Sequence, residues 1–197
     1  MEYKGFPLES GVETGLSRPE KCARIARYKA GVISMKEQKT NVMRILDQKK
    51  IPYEAKHYPH GDEAVDGVTV AKSLGQAPES VFKTLVTRGA KGGYYVFVIP
   101  VAEELDLKKA AKAVGEKSVA MLHVKELLPL TGYVRGGCSP VGMKKQFPTV
   151  FHASALDQSA IAVSAGKIGD QVVVEPQALA KLVRGSFADL VMERDQA

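Results

Sequence analysis

This chain of 197 residues has only two cysteines and no long apolar run. Cys22 and Cys138 provide neither a disulfide framework nor a CxxC pair for a metal. No apolar stretch approaches the ~20 residues that a membrane-spanning helix needs. The first ten residues lack the basic start and the apolar block of a secretory signal. We therefore expect a cytoplasmic protein that does not enter a membrane.

Histidines are also few, and their spacing does not suit a metal site. His57 and His60 fall on opposite faces of an extended chain, and His123 and His152 lie far along the sequence. A zinc site needs three or four convergent nitrogen, sulfur or oxygen ligands. The chain also lacks the P-loop and the GxGxxG fingerprint of nucleotide-binding proteins. We predict neither a metal nor a cofactor.

The net charge of +6 and the pI near 9.2 are compatible with a nucleic-acid partner, but they discriminate weakly between classes of protein. Residues 1–36 hold seven basic and four acidic residues, which is half of the net charge. The remainder is therefore only mildly basic. We treat 1–36 as an extension and 37–197 as one domain, because a chain of this length fills a single core.

Hydrophobic periodicity and turn residues predict short helices and strands after residue 39. Thr40 caps a first helix at about 40–49, Gly75 ends a second, and Asp106 caps a third that Gly115 closes. The predicted strands cover 53–58, 81–86, 94–99, 118–122, 149–152, 160–164 and 171–174, and further helices begin at His123 and Pro176. These elements predict one α+β domain, in which a mixed, partly closed and barrel-like sheet is flanked by helices.

Lys83 lies inside the apolar run VFKTLV at 81–86. In a strand it shares one face with Leu85, whereas Phe82 and Thr84 take the other. Removing an unpaired ammonium from water costs several kcal/mol, so such a lysine is usually paired, partly hydrated or functional. A lysine on an edge strand, where it discourages aggregation, would give the same pattern.

A glycine-rich segment at 132–145 contains Gly136 and Gly137, followed by Cys138 and Ser139. Adjacent glycines let the backbone approach a ligand closely, and successive main-chain amides can hold an oxyanion. A wide turn with no ligand-binding role would show the same sequence pattern. Cys138 and Ser139 also suggest a nucleophile, which would need a base such as histidine within hydrogen-bond reach.

A second glycine-rich turn, SAGKIGD at 164–170, lies between two predicted strands. It reads most simply as a hairpin, with Gly166 and Gly169 permitting the tight geometry. A serine hydroxyl at the strand end, on Ser164, together with a neighbouring amide would also suit a small polar ligand.

Four segments occur in an order that resembles the YbaK/EbsC family of aminoacyl-tRNA deacylases. They are VFKTLV at 81–86, ELDLKK at 104–109, TGYVRGGCSPVGMKK at 131–145 and SAGKIGD at 164–170. The likeness covers about 39–191, which is nearly the whole predicted domain. The chain also resembles the editing domain of bacterial-type prolyl-tRNA synthetases.

The resemblance implies hydrolysis of the ester that joins a wrong amino acid to a tRNA, most often cysteine on the proline tRNA. It implies a catalytic lysine at Lys83 and substrate-binding roles for Tyr58, Thr84, Gly136, Gly137, Ser139, Ser164, Gly166 and Asp170. In cysteine-specific members the substrate's own thiol attacks its carbonyl, so no protein nucleophile is needed. The implied partners are mischarged tRNA and prolyl-tRNA synthetase, not DNA.

Two departures from the family pattern bear on substrate choice. Asp66 stands about where the family often has an aromatic residue, and Asp170 comes one place early after the turn. Three alternatives therefore stay open. They are a deacylase for alanine or another small amino acid, an enzyme in which Lys83 forms a Schiff base, and a non-catalytic module that binds tRNA or a synthetase.

Overall fold

The computed structural model describes residues 39–61 and 65–193, so the extension predicted at 1–36 lies outside the described residues. Within these ranges the chain forms five α-helices and eight strands. The helices are α1 (Asn41–Gln48), α2 (Gly67–Ser73), α3 (Leu107–Ala113), α4 (Val124–Thr131) and α5 (Pro176–Val183). The strands are β1 (Tyr53–His57), β2 (Phe82–Gly89), β3 (Tyr94–Pro100), β4 (Val119–Met121), β5 (Thr149–His152), β6 (Ile161–Ser164), β7 (Asp170–Val174) and β8 (Ser186–Ala188).

The strands form two sheets, and the α+β class with mixed pairing is confirmed. One sheet has the order β1-β7-β6 and is antiparallel, and the other has the order β4-β2-β3-β5-β8. In the larger sheet β4, β2 and β3 pair antiparallel, whereas β3, β5 and β8 pair parallel. The predicted hairpin of β2 and β3 is confirmed, and so is the hairpin of β6 and β7.

The barrel-like closure that we expected is wrong. Neither sheet closes on itself among the described residues, because the larger one ends in three-residue edge strands, β4 and β8. Between the two sheets, one isolated parallel bridge joins Val81 to Ala162. A single bridge does not make the continuous ladder that barrel closure requires. Two sheets that pack through side chains replace the single curved sheet of the prediction.

The core explains why the sequence of β3 is a continuous run of apolar residues. Val96 and Val98 belong to the largest hydrophobic cluster, which takes side chains from both sheets and from α1 and α5. Phe97 and Ile99 point the other way and pack in a second cluster that includes residues of α3. Each such side chain contributes roughly 1.5–3 kcal/mol when it is fully buried. The larger sheet is thus covered on both faces near its centre.

Local capping predictions are confirmed at both ends of the helices. The Thr40 hydroxyl accepts a hydrogen bond from the Met43 N–H at 3.3 Å, and the Asp106 carboxylate accepts from the N–H groups of Lys108 and Lys109. Gly75 has φ +63°, the left-handed conformation that glycine adopts most easily after a helix. None of the helices in the described ranges has the length and apolar character needed to cross a membrane.

We expect Thr40→Ala to lower the free energy of unfolding by about 1 kcal/mol, because the first turn of α1 loses its side-chain acceptor. For a chain of this size the melting temperature should fall by roughly 2–4 °C. Thr40→Ser keeps the acceptor and serves as the control. Equal melting temperatures for the alanine and serine variants would show that the cap does not stabilise the fold.

Candidate functional site

Lys83 lies on β2 and is paired with Ile99 of β3, whereas β4 pairs with β2 only at residues 87–89. Its Nζ donates a hydrogen bond to the Val101 carbonyl at 3.1 Å, and the side chain is half-buried. Burial lowers the pKa of Lys83, while the carboxylates of Glu104 and Glu103 act in the opposite direction. An ammonium has three donors. One bond to Val101 therefore leaves hydrogen-bonding capacity for a ligand.

Lys83 forms part of the wall of a cleft that has two compartments. The inner compartment, of about 130 Å³, is lined by Tyr58, Val65, Gly67, Val70, Val81, Phe82, Lys83, Thr84, Val101, Gly136, Cys138, Ser164 and Gln171. The outer compartment, of about 530 Å³, is lined by Val65, Asp66, Gly67, Lys83, Thr84, Leu85, Val86, Val101, Met121, Leu122, Val124, Leu127, Arg135, Gly136 and Cys138. Lys83, Thr84 and Gly136 belong to both, so they mark the junction between the compartments.

Close packing of α2 against the end of β3 shapes this junction. A Cβ on Gly67 would overlap the side chain of Val101, whose carbonyl accepts the Lys83 hydrogen bond. The N-terminus of α2 can therefore approach the cleft only because residue 67 has no side chain. Asp66, the residue noted above as a departure from the family pattern, caps α2 by accepting from the N–H groups of Val68 and Thr69.

Two polar atoms in the cleft wall are buried without a hydrogen-bond partner among the described residues. They are Thr84 Oγ1 and Gln171 Oε1. A buried polar atom left unpaired costs about 1–3 kcal/mol, so such atoms in a cavity wall are candidates for contact with a ligand. Ser164 lies in the same wall, and its Oγ accepts the Gly166 N–H at 3.2 Å. The inner compartment thus offers several polar groups to a small substrate.

Sequence reasoning missed Gln171 as a site residue. It begins the predicted strand at 171–174, where it precedes three valines. Its register on β7 pairs it with Lys56 on one side and Ser164 on the other. Pairing with Ser164 brings Gln171 into the same wall. The only signal in the sequence was a polar side chain in an otherwise apolar strand.

Of the predicted substrate-binding residues, Tyr58, Thr84, Gly136 and Ser164 line the cleft. The structure holds Tyr58 in place through a hydrogen bond from its N–H to the Gly169 carbonyl at 2.9 Å. These residues come from β2, from the segment after β1, from the first glycine-rich segment and from the end of β6. The fold therefore brings distant parts of the sequence to Lys83.

The other four predicted residues are not among those that line the cleft. Ser139 is fully buried, and its Oγ accepts the Val141 N–H at 3.3 Å. The Asp170 carboxylate lies 2.6 Å from the Nδ1 of His57. These two side chains bond within the protein, at positions behind or beside the cleft wall.

Gly137 and Gly166 have a packing role in the walls. A Cβ on Gly137 would lie 3.2 Å from the Ile168 nitrogen, and 3.3 Å from the Lys167 carbonyl carbon. Gly166 adopts φ +90° close to the Tyr133 ring. The two glycine-rich segments thus touch each other through their backbones, which sets the position of Gly136 and Ser164 at the cleft.

Cys138 lines both compartments, but its chemistry does not suit a nucleophile. Burial raises the pKa of its thiol to about 12, so the thiol stays protonated near neutral pH. The hydroxyl of Ser139 is enclosed in the core. In the described ranges there is also no group of three or more His, Cys, Asp or Glu side chains arranged to hold a metal ion. Cys138 therefore acts as an apolar wall residue.

Comparison with known proteins agrees with the resemblance. The sequence profile of the aminoacyl-tRNA editing domain matches residues 62–182. A protein of Enterococcus faecalis, provisionally named Cys-tRNA(Pro)/Cys-tRNA(Cys) deacylase EbsC, is 51% identical over 78% of this chain and 94% of its own length.

Two solved structures share the fold. One, described provisionally as a trans-editing enzyme for prolyl tRNA synthetase, has 25% identity and a TM-score of 0.69, over 77% of this chain and 95% of its own. The other, a hypothetical protein, has 22% identity and a TM-score of 0.69, over 77% of this chain and 99% of its own. The chain belongs to the aminoacyl-tRNA editing domain family.

Proposed function

We propose that this chain hydrolyses mischarged aminoacyl-tRNA in trans, with Cys-tRNA(Pro) as the preferred substrate. The observation that carries the proposal is the half-buried Lys83 at the junction of a two-part cleft, beside a Thr84 hydroxyl that has no partner among residues 39–61 and 65–193. Family membership supplies the reaction class, and the name of the E. faecalis relative supports cysteine as the amino acid.

The chemistry requires little of the protein beyond binding and charge stabilisation. An aminoacyl ester is already activated, and negative charge develops on its carbonyl oxygen as the carbonyl is attacked. A preorganised donor at that oxygen contributes roughly 3–4 kcal/mol to the transition state. The Lys83 ammonium, held by Val101, can serve as that donor or can hold the terminal ribose.

With a cysteinyl substrate, the attacking group can come from the substrate itself. Its thiol sulfur would form a bond to the carbonyl carbon, the bond from that carbon to the ribose oxygen would break, and the thiol proton would pass to the departing ribose oxygen. Water would then add to the carbonyl of the cyclic thioester and break its carbon–sulfur bond, which restores the thiol and gives free cysteine. The protonated, buried thiol of Cys138 is consistent with a mechanism that uses no protein nucleophile. The protein then contributes mainly by holding the reacting atoms in a favourable orientation.

The inner compartment favours small amino acids. Its volume of about 130 Å³, beside Tyr58, Val70 and Phe82, matches a small group such as cysteinyl or alanyl better than an aromatic one. Ser164 and Gln171 lie where they can contact the substrate's amino group. The resemblance implied that four further residues contact the substrate. We propose that they act indirectly, by supporting the cleft walls: Gly137, Ser139, Gly166 and Asp170.

Two wider aspects of the function are also proposals. The mild basicity of 37–197 supports a model in which prolyl-tRNA synthetase supplies part of the tRNA selectivity. The structural neighbour described above as a trans-editing enzyme for prolyl tRNA synthetase supports the same model. Because charged tRNA is made and used in the cytoplasm, we infer that the protein works there.

The direct test measures amino acid release from Cys-tRNA(Pro), Ala-tRNA(Pro), Cys-tRNA(Cys) and correctly charged Pro-tRNA(Pro). We expect release of cysteine well above the rate without enzyme, slower release of alanine and none of proline. Faster release of alanine would establish an alanine deacylase. No release from any substrate, combined with undiminished tRNA binding, would instead support a non-catalytic module.

A further inference from the structure

The strand β1 is the longest open sheet edge among the described residues. It has five residues and pairs with β7 on one side only. The other edge strands have three or four residues, and β6 lies next to the bridge between Ala162 and Val81 of the larger sheet. An edge strand presents N–H and C=O groups to any chain that can continue the sheet. Within the described fold, β1 is therefore the edge best suited to receive a further strand.

The hydrogen-bond pattern of β1 shows which of its backbone groups point outward. Tyr58, which follows β1, donates its N–H to the Gly169 carbonyl at 2.9 Å and so continues the register of β1 with β7. Hydrogen-bonded pairs alternate along an antiparallel ladder, so Lys56 and Glu54 bond to β7 in the same way. The N–H and C=O groups of Ala55, between them, then point away from β7. Ala55 is also small and exposed, so another backbone can approach it closely.

Two opposite charges flank Ala55 on this edge. The Glu54 side chain is 69% exposed and the Lys56 side chain is 29% exposed, and the Lys56 Nζ lies 3.7 Å from the Glu54 Oε1. An exposed pair of this kind contributes little to the stability of a single chain. A lysine alone on an edge strand discourages the addition of another copy. Glu54 reverses that effect, because a two-fold axis at Ala55 places Glu54 of one copy opposite Lys56 of the other.

We propose that two copies of this chain associate through β1, paired antiparallel about a two-fold axis between their Ala55 residues. The Ala55 residues then exchange N–H···O bonds with each other through the groups that point away from β7. Glu54 of each copy faces Lys56 of the other at a non-hydrogen-bonded position, where facing side chains lie closest. The hydrogen-bond pattern and the charge pattern thus select the same register. The two three-stranded sheets join into one continuous sheet with the order β6-β7-β1-β1-β7-β6.

The symmetry of this interface limits the size and the strength of the assembly. An interface that uses the same patch on both copies closes after two copies, so we expect a dimer and no filament. Contact along one five-residue edge is small, so the dimer should form in a concentration-dependent manner. A strand from another protein can add to an edge by the same backbone bonds. The symmetric placement of Glu54 and Lys56 about Ala55 favours a second copy of this chain.

Sedimentation of the full chain over a range of concentrations tests the proposal. We expect a monomer–dimer equilibrium without larger species. Glu54→Lys and Lys56→Glu each place like charges opposite one another, so each should raise the dissociation constant of the dimer by at least about tenfold. Glu79→Lys makes the same change in charge at an exposed residue outside β1 and should leave that constant unchanged. An unmodified chain that remains monomeric at about 1 mM would overturn the proposal.

Mixing the two charge variants separates contacts between copies from contacts within one copy. Glu54→Lys carries lysine at both positions and Lys56→Glu carries glutamate at both, so neither variant has an internal opposite-charge pair. A mixed dimer regains both opposite-charge contacts across the interface. The mixture should therefore associate about as strongly as the unmodified chain. A mixture that associates as weakly as the separate variants would overturn the proposed register.

A backbone variant tests the hydrogen bonds independently of charge. Ala55→Pro removes the outward N–H, and an edge strand tolerates proline where the N–H does not belong to its own ladder. The fold, followed by the melting temperature, should persist, while the dissociation constant of the dimer rises by at least about tenfold. If Ala55→Pro and both charge variants formed dimers as readily as the unmodified chain, the interface would lie elsewhere and the proposal would be rejected.

Discussion

Replacing Lys83 with alanine is expected to lower the rate of deacylation by at least about 100-fold, which is the usual effect of removing one donor to a developing oxyanion. The fold should persist, because a half-buried charge and a single hydrogen bond to Val101 are lost. The free energy of unfolding should change by no more than about 1 kcal/mol. Single-turnover release of cysteine and a melting curve, measured on the same preparation, test both statements.

A matched lysine variant separates this effect from a general loss of positive charge. Lys108 is exposed on α3 and does not line the cleft, so Lys108→Ala should release cysteine at the unmodified rate. If Lys83→Ala and Lys108→Ala were equally active, the assignment of Lys83 as the catalytic residue would be wrong.

The pH dependence of the reaction distinguishes an ammonium donor at Lys83 from an amine that forms a Schiff base. Burial lowers the pKa of its amine, so the ammonium loses its proton at a lower pH than an exposed lysine does. If the ammonium is the donor, enzymatic release should decline as pH rises through that lowered pKa, after subtraction of spontaneous hydrolysis. If instead the free amine formed a Schiff base, the rate would rise over the same interval, and borohydride would trap an adduct with a carbonyl compound.

The parts of the fold that sequence predicted are those that depend on neighbouring residues. The caps at Thr40 and Asp106 need only a side-chain acceptor next to a helical pattern. The β2–β3 hairpin needs only two apolar runs separated by a short glycine-containing turn. Such signals are local, and they placed Lys83 on a strand correctly.

The parts that sequence did not predict depend on tertiary pairing. The strand β8 has only three residues, Ser186–Ala188, and it forms because β5 offers it a parallel edge. Gln171 enters the site because its register on β7 sets it beside Ser164. Separation into two sheets likewise depends on strand partners that are far apart in sequence. Family resemblance could name Lys83, but only the structure shows which other side chains share its cleft.

Thr84→Val is expected to make the protein more stable and less active. The Thr84 hydroxyl is buried and has no hydrogen-bond partner in the described parts of the chain, so replacing it with a methyl group should raise the free energy of unfolding by about 1 kcal/mol. The same change removes a group that can bond the substrate beside Lys83, so cysteine release should slow by roughly tenfold or more. Chemical denaturation and single-turnover kinetics measure the two effects.

Thr87, on the same strand, provides a matched control for this prediction. Its hydroxyl is likewise buried and unpartnered among the described residues, but Thr87 lies outside both compartments of the cleft. Thr87→Val should therefore stabilise the fold to a similar extent and leave cysteine release unchanged. If both variants slowed the reaction equally, the cause would lie in the packing of β2 rather than in a contact with substrate. If neither slowed it, the Thr84 hydroxyl would have no part in binding. If only Thr84→Val both stabilises the fold and slows the reaction, the Thr84 hydroxyl lowers the free energy of unfolding but contributes to activity. The substrate would then supply the hydrogen bond that this hydroxyl lacks in the free protein.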